Sequence, residues 1–178
     1  MNPKLPFEVL RELRAQGRTL ATAESCTGGL IGKLLTDVPG SSEVYLGGVI
    51  SYTNGVKRRL LGVSEDTLRV YTAVSRQTAH EMARGAREAI QADVGVSVTG
   101  LAGPDGDGTG RPIGLVYVGI DMEGFSYCQE LHLTGDRAAV REQAAEAVLN
   151  ILPAIDCADG GGRIDRYDLF DGVTVMRV

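Results

Sequence analysis

The sequence predicts an α/β protein, a three-layer α/β/α sandwich around a mixed, mostly parallel sheet of about five to six strands. Apolar runs rich in β-prone residues alternate with amphipathic segments of helical period, which is the order of a layered α/β domain. Two of the runs, near residues 113 to 133, are joined only by Glu123-Gly124. That link is too short for a crossover, so the pair runs antiparallel and the sheet is mixed. The 178 residues, 43% hydrophobic and 23% charged, suit one domain with its own core.

Residues 4 to 16 place Leu5, Val9, Leu10 and Leu13 at helical spacing and end at Gly17. Thr19 to Glu24 then reads as a strand, Ser25-Cys26-Thr27-Gly28-Gly29 as a polar glycine turn, and 28 to 37 as a helix with Leu30, Ile31, Leu34 and Leu35 inward. Pro39-Gly40-Ser41-Ser42 has loop chemistry, and Val44 to Thr53 reads as a strand. Asn54-Gly55 marks a turn before a short helical stretch over Lys57 to Leu61. Ser75 caps a helix with Ala79, Met82, Ala83, Ala86 and Ile90 on one face. Val94 to Thr99, Ile113 to Ile120 and Ser126 to Leu133 read as strands, and Asp136 caps a last helix carrying Val140, Ala144, Ala147, Val148 and Ile151 inward.

Composition narrows the function classes. A net charge of −5 argues against a footprint for duplex nucleic acid or an anionic membrane, and 5% aromatic residues argue against base-stacking platforms. No h-region and no long apolar span is present, and Cys26, Cys128 and Cys157 have neither disulfide-framework nor zinc spacing. A cytoplasmic protein with free thiols, no metal and no cofactor is expected. Glycine is in surplus, 24 residues in all, against roughly 7% in ordinary proteins. Eleven of these (Gly28, Gly29, Gly40, Gly47, Gly48, Gly100, Gly103, Gly106, Gly108, Gly110 and Gly114) lie in or beside the polar loops.

Three motif-like stretches fail on inspection. Gly29-Leu30-Ile31-Gly32-Lys33 lacks the first glycine and the final Ser or Thr of a phosphate-binding P-loop, positions held here by Thr27 and Leu34. Asp105 to Gly110 imitates half a calcium loop, but its twelfth position is Val116. The glycines of that stretch also miss the dinucleotide fingerprint, whose third glycine falls on Arg111. His80 and His132 stand alone and read as structural.

What remains is a set of polar turns at strand ends, where open α/β sheets collect ligands. Ser25, Thr27, Gly28 and Gly29 offer hydroxyls and backbone N–H groups at a helix N-terminus, an anion cradle or a means of activating a nucleophile; a merely capped helix is the equal alternative. Ser41 and Ser42 add hydroxyls. With no suitable histidine, the base for a serine is a lysine, and Lys57 adjoins Arg58 and Arg59, whose like charge disfavours its ammonium form. Taken alone, that basic run reads as a solvated face. Thr99 and Gly100 open a third loop, and Arg137 and Arg141, one helical turn apart, can clamp a phosphate.

The segments Ala23–Gly29, Pro39–Ser42, Ser51–Asn54 with Lys57, Thr99–Gly106 and Gly135–Arg137 follow the order and spacing of the CinA C-terminal domain family, which the chain resembles from about residue 5 to 155. The resemblance implies hydrolysis of the carboxamide of nicotinamide mononucleotide to nicotinic acid mononucleotide and ammonia without a metal. It places the active site at Ser25, Ser42, Tyr52, Lys57, Thr99 and Arg137. The expected mechanism has a serine attack the carboxamide, Ser42 by a small margin over Ser25, with Lys57 as general base. The other serine, Thr99 and glycine-loop amides would stabilise the oxyanion, Tyr52 would pack on the ring, and Arg137 with Arg141 would hold the phosphate.

Two other readings compete: a nucleotide-binding or regulatory module, linked to competence and DNA damage, that does not hydrolyse, and an amidohydrolase acting on another pyridine nucleotide or small amide. The nucleotide-pyrophosphatase domain of some family members has no room here and is not transferred. The expected division is a domain over 1–157 and a glycine-linked tail over 158–178, read as an added strand, an interaction segment or vector-derived residue. Apolar helices and an edge strand are compatible with a homodimer.

Overall fold

The computed structural model describes residues 2–155 in full and the backbone of 156, 163–164 and 174–176. The elements in chain order are α1 (Leu5–Ala15), β1 (Leu20–Glu24), α2 (Leu30–Thr36), a 3-10 turn (Ser41–Glu43), β2 (Tyr45–Ile50), α3 (Asn54–Leu61), α4 (Glu65–Val70), α5 (Arg76–Ile90), β3 (Val94–Gly100), β4 (Leu115–Met122), β5 (Phe125–His132) and α6 (Arg137–Ile151), followed by the short strands β6 (Ile155–Asp156), β7 (Arg163–Ile164) and β8 (Thr174–Met176). The main sheet has six strands in the order β2-β1-β3-β4-β5-β8. β1 pairs in parallel with β2 and β3, while β3–β4, β4–β5 and β5–β8 are antiparallel. The sheet is mixed as the sequence predicts. It is not mostly parallel: parallel pairing is confined to β2-β1-β3, since β4 returns antiparallel beside β3 and the two-residue turn between Met122 and Phe125 then lays β5 antiparallel on β4.

The central strands are buried on both faces, and successive side chains point to opposite ones. Leu20, Val94, Val96, Val98, Val116, Val118 and Ile120 face α1, α2 and α6 in the larger core. Each such fully buried side chain contributes about 1.5–3 kcal/mol by leaving water. Ala21 and Ala23 face the other way, against Met82 and Ala86 of α5 and Leu61 of α3. That second face is lined by small residues so that α5 can lie close to the strands. A Cβ on Gly95 would sit 2.1 Å from the Ala83 carbonyl oxygen, and one on Gly119 would sit 2.5 Å from that of Ala79. These glycines are packing residues, a share of the surplus that the loops do not explain.

The helix caps form as their sequences predict: Ser75 Oγ accepts from Thr78 N and Asp136 Oδ1 from Ala139 N. Two local expectations change. Asn54-Gly55 is the first turn of α3 rather than a separate turn, because Thr53 ahead of it is extended and its hydroxyl caps Val56 N. The unforeseen α4 is capped by Ser64, with Glu65 and Asp66 in its first turn. Cys26 and Cys128 are buried free thiols, and Cys157 lies outside the described residues. So does most of the tail, but β8 of that tail does add an edge strand to the sheet. Among the described residues no helix is long and apolar enough to cross a membrane.

Candidate active site

Three parallel strands end on the same side of the sheet, and each hands its chain to a polar segment there. Ser25 follows β1, Ser51 and Tyr52 follow β2, and Thr99 closes β3 ahead of the Leu101–Asp107 loop. Between them lies a cleft of about 230 Å³ lined by Ser25, Cys26, Tyr52, Lys57, Thr99 and Arg137, among others. Its size suits a small molecule or one end of a nucleotide.

Lys57 is the centre of this cleft. It lies on the inward face of α3 with Leu61, four residues on, and is 1% exposed. Its Nζ stands 2.9 Å from Ser25 Oγ and 2.6 Å from the Ser51 carbonyl oxygen. Burial pushes its pKa down to about 8, since a buried ammonium loses hydration that two neutral oxygens only partly replace. The cause is therefore not like charge. Arg58 is turned to the surface, where it pairs with Glu65 at 2.9 Å, and Arg59 is exposed. In its neutral form Lys57 can donate to Ser51 O while its lone pair accepts the Ser25 proton. Cys26, next along the chain, has its thiol pushed up to about 11 by burial and so stays protonated.

Ser42 does not join this group. It is exposed in the 3-10 turn that precedes β2, whereas Ser25 follows β1. β1 and β2 are parallel and start together, Leu20 opposite Tyr45, so the two serines lie at opposite ends of the sheet, a strand length or roughly 17 Å apart. The Ser42 turn is instead tied to α1, where Arg14 donates to Gly40 O at 2.9 Å and pairs with Glu43 at 3.0 Å. The expectation that favoured Ser42 over Ser25 fails on strand direction.

The turn at residues 25–29 is also not an open anion cradle. Gly29 N donates to the Glu24 carboxylate at 2.9 Å and Gly28 N to Ser25 O at 3.1 Å, so neither N–H is available to a ligand. Thr27 is fully buried with its hydroxyl unpartnered among the described residues, and it lies outside the cleft lining. The N–H groups of Cys26 and Thr27 have no backbone acceptor among the described residues and lie toward the Cys26 sulfur, a weak acceptor. They directly follow Ser25, where an oxyanion formed at Ser25 Oγ would need donors.

Thr99 Oγ1 donates to Ala73 O at 2.6 Å, which commits its proton and leaves it an acceptor rather than an oxyanion donor. Gly100 lines the cleft, but its missing side chain serves β4: a Cβ there would fall 2.7 Å from Leu115 O. Arg137 spans the mouth, donating to Gly103 O at 2.6 Å and to Tyr52 Oη at 2.8 Å, with Tyr52 59% exposed beside it. Arg141 does not line the cleft, and its guanidinium braces the turn through Thr27 O at 2.8 Å. Beyond the expected active-site positions, Ser51 and Asp105, which fall within the matched segments, and Ala73, Val74 and Asp107, which do not, also line or touch the cleft. Ser51 holds Lys57 through its carbonyl, a contact that no side-chain pattern signals. Among the described residues no group of three or more His, Cys, Asp or Glu side chains could hold a metal ion.

The chain has close relatives. It is 49% identical over 145 residues to the CinA-like protein of Myxococcus xanthus, covering 81% of this chain and 34% of that protein. Its fold matches the crystal structure of the competence/damage inducible protein CihA from Agrobacterium tumefaciens with a TM-score of 0.80 and 39% identity, over 84% of this chain and 92% of that one. A CinA superfamily protein from Klebsiella pneumoniae matches with a TM-score of 0.83 and 35% identity, over 85% and 94%. The chain spans about a third of the length of the curated relatives it matches. A family model describing the CinA C-terminal domain covers residues 3–155. These residues carry the whole cleft, and the chain belongs to the CinA C-terminal domain family.

Proposed function

We propose that this protein is a metal-independent amidohydrolase that converts the carboxamide of nicotinamide mononucleotide to the carboxylate and ammonia, a step in pyridine nucleotide recycling. The observation that carries the reading is the contact between a buried lysine with a lowered pKa and a serine hydroxyl at the floor of a small cleft. Neutral Lys57 takes the Ser25 proton as Oγ bonds to the carboxamide carbon. The resulting oxyanion lies toward the N–H groups of Cys26 and Thr27. Lys57 then returns the proton to the amide nitrogen, the C–N bond breaks and ammonia leaves. Water, deprotonated by Lys57, attacks the acyl-serine and releases the carboxylate and Ser25. Thr99 Oγ1 accepts a hydrogen bond from the carboxamide NH2, Tyr52 stacks on the ring, and Arg137 takes the phosphate.

The names of the relatives favour a second reading more directly than they favour hydrolysis, because competence and damage induction are what those names record. On that reading the cleft binds a nucleotide and does no chemistry, as a regulatory module. Incubation with nicotinamide mononucleotide separates the two. Catalytic release of ammonia, with nicotinic acid mononucleotide in equal amount, is expected; saturable binding without product would favour the module.

A further inference from the structure

Glu24 is a buried charge that the chemistry above does not use. It is 2% exposed, and its carboxylate accepts three backbone N–H groups, from Gly29 at 2.9 Å, Ile31 at 3.1 Å and Gly32 at 2.8 Å. These are the orphan donors of the first turn of α2, whose own N-cap position is Gly29, a residue at φ 95° with no side chain to cap it. The capping group thus comes from five residues upstream, the last residue of β1. Between the carboxylate and the helix it holds lie only Ser25, Cys26, Thr27 and Gly28. The backbone of this short loop is further fixed by Ser25 N to Val98 O at 2.9 Å and by Ser51 N to Glu24 O at 2.7 Å.

We propose that Glu24 is a positioning residue, clamping the start of α2 onto the end of β1 so that the turn between them holds Ser25 Oγ against Lys57. The inference rests on reading Ser25 and Lys57 as the reacting pair. Its chemistry is specific to a carboxylate. Both oxygens are pure acceptors and meet three donors without conflict, whereas an amide of the same shape turns its NH2 toward at least one N–H. The clamp also uses the positive end of α2 internally. The N–H groups of Gly29, Ile31 and Gly32 are thereby unavailable to an oxyanion, and the placement of the Cys26 and Thr27 N–H groups, which lie toward the Cys26 sulfur, depends on the clamp.

The chain has three lysines, Lys4, Lys33 and Lys57, so in protein labelled with 13Cε-lysine the Lys57 resonance can be followed through a pH titration without turnover. In Glu24→Gln the Lys57 midpoint is expected to rise from about 8 by about one unit or more, because the loosened turn readmits water to the amine. Loss of a neighbouring negative charge would by itself move the midpoint down, so the direction separates repositioning from a simple field effect. On nicotinamide mononucleotide the same variant is expected to lose about tenfold or more in kcat with KM within about threefold of wild type. A midpoint that stays or falls overturns the inference, whatever happens to kcat. If the wild type releases no ammonia, the hydrolase reading fails, and the midpoint still decides the role of Glu24. Should Glu24→Gln not fold, Glu24→Asp keeps the charge but is too short to reach all three donors; a smaller upward shift supports the clamp and none overturns it.

Discussion

The turn after β1 and the turn before β2 look alike in sequence and differ in what the fold does with them. Both are short, polar and glycine-flanked, and both offer serine hydroxyls: Ser25 beside Gly28 and Gly29, Ser41 and Ser42 beside Gly40. Parallel pairing of β1 with β2 puts the first at the C-terminal end of the sheet and the second at the N-terminal end. Only the first meets the incoming segments after β2 and β3, and only there is a lysine buried against a serine. The second is an exposed anchor for Arg14. A hydroxyl-rich loop becomes a site only where topology brings other loops to it, which is the general behaviour of strand C-termini in α/β sheets.

The largest break in this comparison comes from Lys57→Met. Without a base for Ser25, kcat is expected to fall by about 10³-fold or more. Stability moves the other way. Folding lowers the Lys57 pKa from its ordinary 10.5 to about 8, so the unfolded chain binds more protons than the folded one between those pH values. The destabilisation is therefore fully present below pH 8 and is gone above about 10.5. Melting at pH 7 should show the Met variant more stable than wild type by about 1–2 kcal/mol, less than the full shift implies because Ser51 O loses its donor. The gap should close as pH is raised through that window. A variant equally destabilised at every pH would mean that the burial penalty of Lys57 is offset by its contacts. The same titration sets the rate profile of the wild type, in which kcat should climb with pH and level off above about 8.

Arg137→Met should have a smaller effect, and of a different kind. Arg137 is bonded to Gly103 O and Tyr52 Oη rather than to Ser25 or Lys57, so KM for the mononucleotide is expected to rise by about 10- to 100-fold, the loss of one charge-assisted contact, with kcat within a few-fold. Nicotinamide riboside, which has no phosphate, should be turned over equally by both enzymes. An Arg137 effect as large on the riboside as on the mononucleotide would assign the residue to holding Tyr52 and the Gly103 loop instead.

Much of the fold was legible because it rests on period and punctuation. α1, α5 and α6 show helical spacing with a clear cap or stop, and the Glu123-Gly124 turn announced an antiparallel pair. Lys57, Ser25, Tyr52, Thr99 and Arg137, grouped by the family resemblance, line one cleft. What the chain did not reveal is relational. Choosing between Ser25 and Ser42 requires the direction of two strands, and the cause of the lowered Lys57 pKa is burial on the inner face of α3 rather than the arginines beside it in sequence. Glu24 reads as part of a polar turn until the α2 N–H groups are seen on it. The glycine surplus divides in the same way. Gly28 and Gly29 do shape the turn after β1, but Gly95, Gly100 and Gly119 admit a neighbouring helix or strand.

The most direct test sets the two turns against each other in one assay, ammonia release from nicotinamide mononucleotide by Ser25→Ala and Ser42→Ala proteins of verified fold. The account predicts that Ser25→Ala loses about 10³-fold or more in kcat while Ser42→Ala stays within about threefold of wild type. Retained turnover in Ser25→Ala, or an equal collapse in Ser42→Ala, would contradict it.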